Sequence, residues 1–205
     1  MGDLTERDYQ AYDERQTLQF RKFMHWVKSA GGHEGPTQID TLISPKQLGR
    51  MTWLKEMARG RVLEVGCNWG WILAWCHGHA GVDINPMNVD LAQIFAPHRE
   101  FYVADAVSLP FPDKSFDTVM APETLEHLDF PGGVRQAIQE AERVARDRVL
   151  ITIPDGRTDT PDALNFKHAW LFDDAAAQKM LSWMPGANLA YFYGFGLIYW
   201  PVGGR

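Results

Sequence analysis

The sequence predicts a doubly wound α/β domain built on a mostly parallel sheet, and three observations carry that prediction. Five short apolar runs (61–65, 80–84, 100–103, 116–121 and 148–153) alternate with segments of helical period, the pattern of βαβ units. The first run empties into a glycine-bearing loop that opens a helix, and the second closes on an acid, Asp83. Crossovers between parallel strands are right-handed, so alternation of this kind winds helices onto both faces of the sheet.

The elements follow in order. Residues 5–30 read as a polar helix with one apolar stripe of Tyr9, Tyr12, Leu18, Phe20, Phe23, Met24 and Val27. Gly31-Gly32 and Gly35-Pro36 end it. Ser44-Pro45 opens a second helix, Ser44 as N-cap and Pro45 in the first helical position, running to Arg59 before Gly60. Helices at 70–77, 86–95 and 133–145 separate the apolar runs. A further helix spans 173–183, with Asp173 and Asp174 favourably placed in its first turn. The tail 188–201 is aromatic-rich and interrupted by Gly194 and Gly196, which reads as a terminal hairpin.

Composition narrows the function classes. The 205 residues suit one domain with its own core, and 45% hydrophobic with 22% charged residues is ordinary for a soluble globular protein. A formal net charge of −6 argues against broad binding to a phosphate backbone, which needs a basic face. Nucleic acid is therefore a disfavoured partner. No apolar run approaches the roughly 20 residues of a membrane span, and the first thirty residues are charged throughout, unlike a signal peptide. The two cysteines, Cys67 and Cys76, fall on a loop and the helix after it, a poor geometry for a bridge that fits a reducing cytoplasm. Eight Trp and eleven Phe can fill a core or line an apolar substrate pocket.

The most informative stretch is the strand-to-loop segment Val62-Leu63-Glu64-Val65-Gly66-Cys67-Asn68-Trp69-Gly70-Trp71. Ligands of open α/β sheets bind beyond the carboxyl ends of the strands, where Gly66 and Gly70 let the backbone approach without a Cβ. Asp83, ending the next strand, can accept hydrogen bonds from both ribose hydroxyls of an adenosine. A dinucleotide fingerprint would need glycine where Asn68 and Trp71 stand, and an indole cannot replace its third glycine. The dinucleotide reading fails.

The stretch from Glu64 to Gly70 instead resembles motif I of the class I S-adenosylmethionine-dependent methyltransferases, E/D-x-G-x-G-x-G. Asn68 stands in the middle glycine position, and it is the side chain that best tolerates left-handed angles; Trp69 is bulkier than the usual residue. Gly81-Val82-Asp83-Ile84 is similar to the family's second motif, which implies Asp83 on the ribose and Ile84 against the adenine. Val103-Ala104-Asp105-Ala106 resembles its third-strand motif, with Asp105 accepting from the adenine amino group. The segment from Leu109 to Val119 is similar to the loop and fourth strand, so the resemblance runs from about Arg61 to Trp183. It implies a Rossmann-like methyltransferase fold of seven strands, mostly parallel, with an antiparallel C-terminal hairpin and residues 1–59 as an N-terminal helical lid or extension, closing over the crevice or simply docking on the sheet, before a domain at 60–205. S-adenosyl-L-methionine is the implied cofactor, contacted by Glu64, Gly66, Cys67, Asn68 and Gly70 of the loop, and by Asp83, Ile84, Asp105, Ala106 and Ala121 beyond it.

After the fourth run comes Glu123-Thr124-Leu125-Glu126-His127-Leu128. On a turn or short helix this spacing draws Glu123, Glu126 and His127 together, with His168 at the same rim. The set can supply a general base or hold a divalent metal. In small-molecule methyltransferases of this superfamily a similar Leu-Glu-His-Leu stretch binds no metal, whereas enzymes that methylate ribose 2′-hydroxyls at RNA ends use such residues as ligands. We expect His127, His168 and Glu123 to be catalytic, with no metal favoured and Glu123, Glu126, His127 and His168 as its ligands if one is present. The expected reaction is methyl transfer to an oxygen or nitrogen of a small molecule. The alternatives are a metal-assisted RNA methyltransferase and a non-catalytic adenosine-binding protein of the same fold.

Overall fold

The computed structural model describes residues 45–156, 172–192 and 194–202. The chain divides into two compact units, 1–52 and 53–205. The predicted helix at 5–30 and the Ser44 cap lie outside the described residues. The first described helix, α1 (Pro45–Met57), is followed by β1 (Val62–Val65), α2 (Trp71–Trp75), β2 (Ala80–Asp83), α3 (Pro86–Phe95) and β3 (Glu100–Val103). Then come β4 (Phe116–Pro122), a 3₁₀ turn at Leu125–His127, α4 (Gly132–Val144), β5 (Ala145–Pro154), α5 (Asp174–Leu181), β6 (Asn188–Phe192) and β7 (Phe195–Pro201).

The seven strands form one sheet of order β3-β2-β1-β4-β5-β7-β6. The β3-β2-β1-β4-β5 pairs are parallel, and β7 pairs antiparallel with both β5 and β6. The strand order reverses between β1 and β4, and a sheet of this kind opens its ligand crevice at the carboxyl edge of that switch point.

Strand β1 is buried along its whole length and β4 at every position but Asp117, so they read as near-continuous apolar runs rather than alternating ones. Helix α4 shows the complementary pattern. Val134, Ala137, Ile138, Ala141 and Val144 recur at three- and four-residue intervals and are all buried. They pack in one core with Val119, Val149 and Ile151 of the sheet. Each large apolar side chain buried there contributes roughly 1.5–3 kcal/mol.

Element boundaries move where hydrogen bonding overrides the apolar pattern. Helix α1 stops at Met57 instead of Arg59 because the chain is already joining the sheet. The N–H of Arg59 donates to the Thr118 hydroxyl at 3.0 Å, and that hydroxyl donates to the Arg59 carbonyl at 2.7 Å. Helix α2 is shorter than the predicted 70–77, closing at Cys76 ahead of His77 in a left-handed conformation. Strand β5 begins at Ala145, three residues before the apolar run, because α4 passes into it without a loop. Gly194 makes the hairpin turn at φ 81°, as the tail's composition implies. Gly196, expected to interrupt the strand, instead lies within β7 opposite Ile153, where a Cβ would come within 2.9 Å of the Ile153 side chain.

Candidate active site

The loop that leaves β1 is built from left-handed residues: Gly66 at φ 72°, Asn68 at 48° and Gly70 at 73°. Asn68 thus takes the conformation that its side chain tolerates best after glycine. The loop is tied down at both ends. The N–H of Cys67 donates to the Val82 carbonyl at 2.8 Å, and the N–H of Gly70 to the Cys67 carbonyl at 2.8 Å. A Cβ on Gly70 would lie 2.7 Å from the Phe101 ring, so this glycine allows the loop to sit against β3.

Asp83 closes β2 and organises the crevice floor. One carboxylate oxygen accepts from the Asn68 N–H at 2.8 Å; the other accepts from the Asn85 N–H at 2.9 Å and the Asn88 side-chain amide at 3.1 Å. Three fixed donors hold the carboxylate in one orientation. Asp105, after β3, accepts from the N–H of Val107 at 3.1 Å. Ile84, between the two acids in the crevice, leaves 68% of its surface exposed, an unusual exposure for a large apolar side chain and one that offers a flat apolar contact.

These residues line a cavity of about 420 Å³. Gly66, Asn68, Asp83, Ile84, Asp105 and Ala106 from the predicted cofactor set border it, and Glu123, Thr124 and His127 border it from the end of β4. Glu64, Cys67, Gly70 and Ala121 do not. Glu64, Cys67 and Ala121 are buried, Glu64 at 1% exposure within β1. Burial, followed by the negative charges of Glu64 and Asp83, pushes the Cys67 thiol far above its ordinary range, so it stays protonated.

The Glu123–His127 cluster is split. Glu123 is itself left-handed at φ 49°; its N–H donates to the Thr152 carbonyl at 2.9 Å, and its carboxylate accepts from the Thr152 hydroxyl at 3.2 Å. This turn precedes the 3₁₀ segment, so Glu123 and Glu126 are not successive positions of one helix, and Glu126 is wholly buried while Glu123 and His127 face the cavity. Of the three residues expected to draw together, Glu123 and His127 border the cavity and Glu126 does not. His168 lies outside the described residues. Among the described residues, no group of three or more His, Cys, Asp or Glu side chains is placed to hold a metal ion.

Sequence reasoning missed Asn88 and Thr124. Asn88 stands three residues after Asn85, whose side chain caps α3 behind Pro86, so a cap motif followed by a second amide one turn on was the available signal. Thr124 packs where a Cβ on Gly66 would have to go, and nothing in the local pattern announces that contact.

An open α/β sheet with a glycine-bearing loop after β1 and carboxylates after β2 and β3, all at the switch point, defines a nucleoside-binding fold of the Rossmann type. A family model described as a methyltransferase domain matches residues 63–153. The O-methyltransferase rstn1 of Aspergillus nomiae is 30% identical over 161 residues, covering 72% of this chain and 68% of that protein. Methyltransferase GfsG of Streptomyces halstedii is 28% identical over 138 residues, 60% of this chain and 45% of its own length. The chain therefore spans only about half to two thirds of these relatives. The magnesium protoporphyrin IX methyltransferase of Synechocystis, solved with bound S-adenosylmethionine, shares the fold at a TM-score of 0.59 and 19% identity, with 98% and 99% of the two chains covered. The chain belongs to the class I S-adenosylmethionine-dependent methyltransferases.

Proposed function

We propose that this chain transfers the methyl group of S-adenosylmethionine to an oxygen or nitrogen of a small molecule. The observation that carries the reading is one cavity bordered on one side by Asp83 and Asp105 and on the other by Glu123 and His127. The donor and acceptor chemistry fits an adenosine: a carboxylate held for two ribose hydroxyls, a second acid for an exocyclic amine, and an exposed isoleucine for a ring face. The relative named an O-methyltransferase favours oxygen as the acceptor atom. A net charge of −6 with no basic run favours a small molecule over nucleic acid.

When bound, the sulfonium cofactor supplies an electrophilic methyl group for in-line displacement. Because positive charge is neutralised in that step, the residues contribute mainly by orienting both reactants and excluding water. In this reading Gly66 and Asn68 give backbone access, Asp83 and Asp105 fix the nucleoside, and His127 faces the acceptor. An acceptor hydroxyl or ammonium must lose a proton, and an imidazole is the side chain best suited to take it near neutral pH. In this reading Glu123, which accepts from the Thr152 hydroxyl, orients that imidazole or the acceptor.

Calorimetric titration of the full chain with S-adenosylmethionine and S-adenosylhomocysteine tests the reading. Binding of both is expected, weakened about tenfold or more in Asp83→Asn, since a carboxylate–hydroxyl pair contributes roughly 1.5–3 kcal/mol. His127→Ala should lower turnover over a panel of phenols, alcohols and amines while leaving cofactor affinity nearly intact. Absence of binding to either nucleoside would overturn the proposal, and equal loss of affinity in His127→Ala would make His127 structural.

A further inference from the structure

A second cavity, of about 390 Å³, is formed at the opposite end of the same strands. Arg61, His77, His79, His98, Arg99 and Glu100 line it. Arg61 stands immediately before β1, His79 immediately before β2, and Arg99 and Glu100 where β3 begins. Two guanidiniums and three imidazoles thus surround one carboxylate, in a chain whose net charge is −6. Nothing in methyl transfer at the other edge of the sheet calls for this concentration of basic groups.

Three of the five basic groups, Arg61, Arg99 and His79, are held in place. Arg61 meets Glu100 at 3.1 Å and lies over the Phe116 ring at 4.9 Å. Arg99 donates to the carbonyls of Gly78 and Ala74, which fixes its guanidinium on the cavity wall. The Nδ1 of His79 accepts the N–H of Val62 at 3.2 Å, so the ring proton of this imidazole sits on Nε2 as a donor. Burial lowers the pKa of His77, and the positive charges of Lys55 and Arg99 lower it further. Of these causes burial penalises any charge, whereas the two neighbouring positive charges favour an anion. The three histidines do not form a cation site, since no group of three or more His, Cys, Asp or Glu among the described residues is placed to hold a metal ion.

We infer that this cavity is a binding site for a phosphate group, free or as a monoester, separate from the nucleoside crevice and independent of its assignment. Guanidinium forks match phosphate oxygens, and imidazole N–H groups complete the shell at short range.

The test is an amide-resolved nuclear magnetic resonance titration of the isotope-labelled full chain with sodium phosphate, ionic strength held constant with chloride. Shifts are expected at the amides of Arg61, Gly78, His79, Arg99 and Glu100, and not at Gly66, Asp83 or Asp105. Glu100→Gln removes the competing carboxylate and releases Arg61, so it should tighten binding about 3- to 10-fold, a gain that misfolding cannot mimic. The double variant His77→Ala/His98→Ala should weaken binding about tenfold with an unchanged circular dichroism spectrum. Glycerol 3-phosphate in parallel distinguishes the two forms: tighter binding than inorganic phosphate assigns a monoester, and equal or weaker binding assigns the free ion. Shifts that vanish at matched ionic strength, that appear at Gly66 and Asp83 instead, or that keep the same affinity in Glu100→Gln would overturn the inference.

Discussion

Gly66 is the residue on which the crevice geometry turns. Its φ of 72° is costly for any residue with a Cβ, and a Cβ there would collide with Thr124. Thr124 cannot move aside easily, because its hydroxyl lies 2.9 Å from the Val65 carbonyl and 3.1 Å from that of Pro122. Gly66→Ala is therefore expected to cost about 1–3 kcal/mol in urea denaturation and to weaken cofactor binding as well. Cys67, one residue on, gives a second measurable outcome. Only a thiolate attacks a disulfide reagent, so a buried thiol whose pKa is raised should react slowly with Ellman's reagent at pH 7–8 in the folded chain and quickly once unfolded. Rapid reaction in the native state would show the loop opening. Asp83, Asp105 and Gly66 were legible in the sequence because motif order and strand ends point to them without any knowledge of packing. Glu126 was not: its spacing from Glu123 suggests one helix face, but Glu126 is wholly buried and does not border the cavity that Glu123 lines, and burial of that kind is set by packing rather than by local spacing.

At the scale of elements, the loop between β3 and β4 carries Asp105 into the crevice, and α4 holds that loop from behind. Arg143 of α4 donates to Glu140 at 2.7 and 2.8 Å, to Asp113 at 2.9 Å, and to the carbonyls of Phe111 and Leu109 at 2.8 and 3.0 Å. Glu140 in turn accepts the Leu109 N–H at 2.7 Å, and the Gln136 amide donates to the Val107 carbonyl at 3.1 Å. Arg143→Met keeps the stem but deletes all the guanidinium's donors, so it should lower the melting temperature and weaken cofactor affinity several-fold through a looser Asp105 loop. The hydrogen bonds from Arg143 hold the Glu140 carboxyl below its ordinary range, and the Arg61 N–H, followed by Arg146, does the same for Asp117. A carboxylate depressed in the folded state stabilises above the usual carboxylate range and loses that contribution as pH falls through its folded value. Stability should therefore fall below about pH 4, with a shallower acid limb in Arg143→Met than in the parent chain, as read by denaturation midpoints across pH. Element boundaries were the least legible part of the sequence for a related reason. The junctions at Met57 and Ala145 are set by a threonine hydroxyl fifty-nine residues from Arg59 and by a helix running straight into a strand, and neither leaves a local signature.

For the whole molecule, the parallel strands separate two kinds of chemistry. The carboxyl ends of β1, β2 and β3 open on the acid-lined crevice, and their amino ends open on the basic cavity. Four residues of β1 at roughly 3.3 Å each put the two sites about 13 Å apart along the strand, with buried side chains, Glu64 among them, in between. A ligand that binds only the folded chain stabilises it by about 2.7 kcal/mol at one hundred times its dissociation constant. At roughly 2–4 °C per kcal/mol for a chain of this size, saturating S-adenosylhomocysteine should raise the melting temperature by about 5–10 °C. Sites this far apart with no shared partners are expected to contribute independently. Phosphate should therefore add its own increment on top of that of the nucleoside, and the two increments together should equal the shift with both ligands present. A combined shift no larger than the nucleoside's alone would mean that both ligands compete for the crevice at Asp83, because two ligands in separate cavities of one folded state cannot displace each other by mass action.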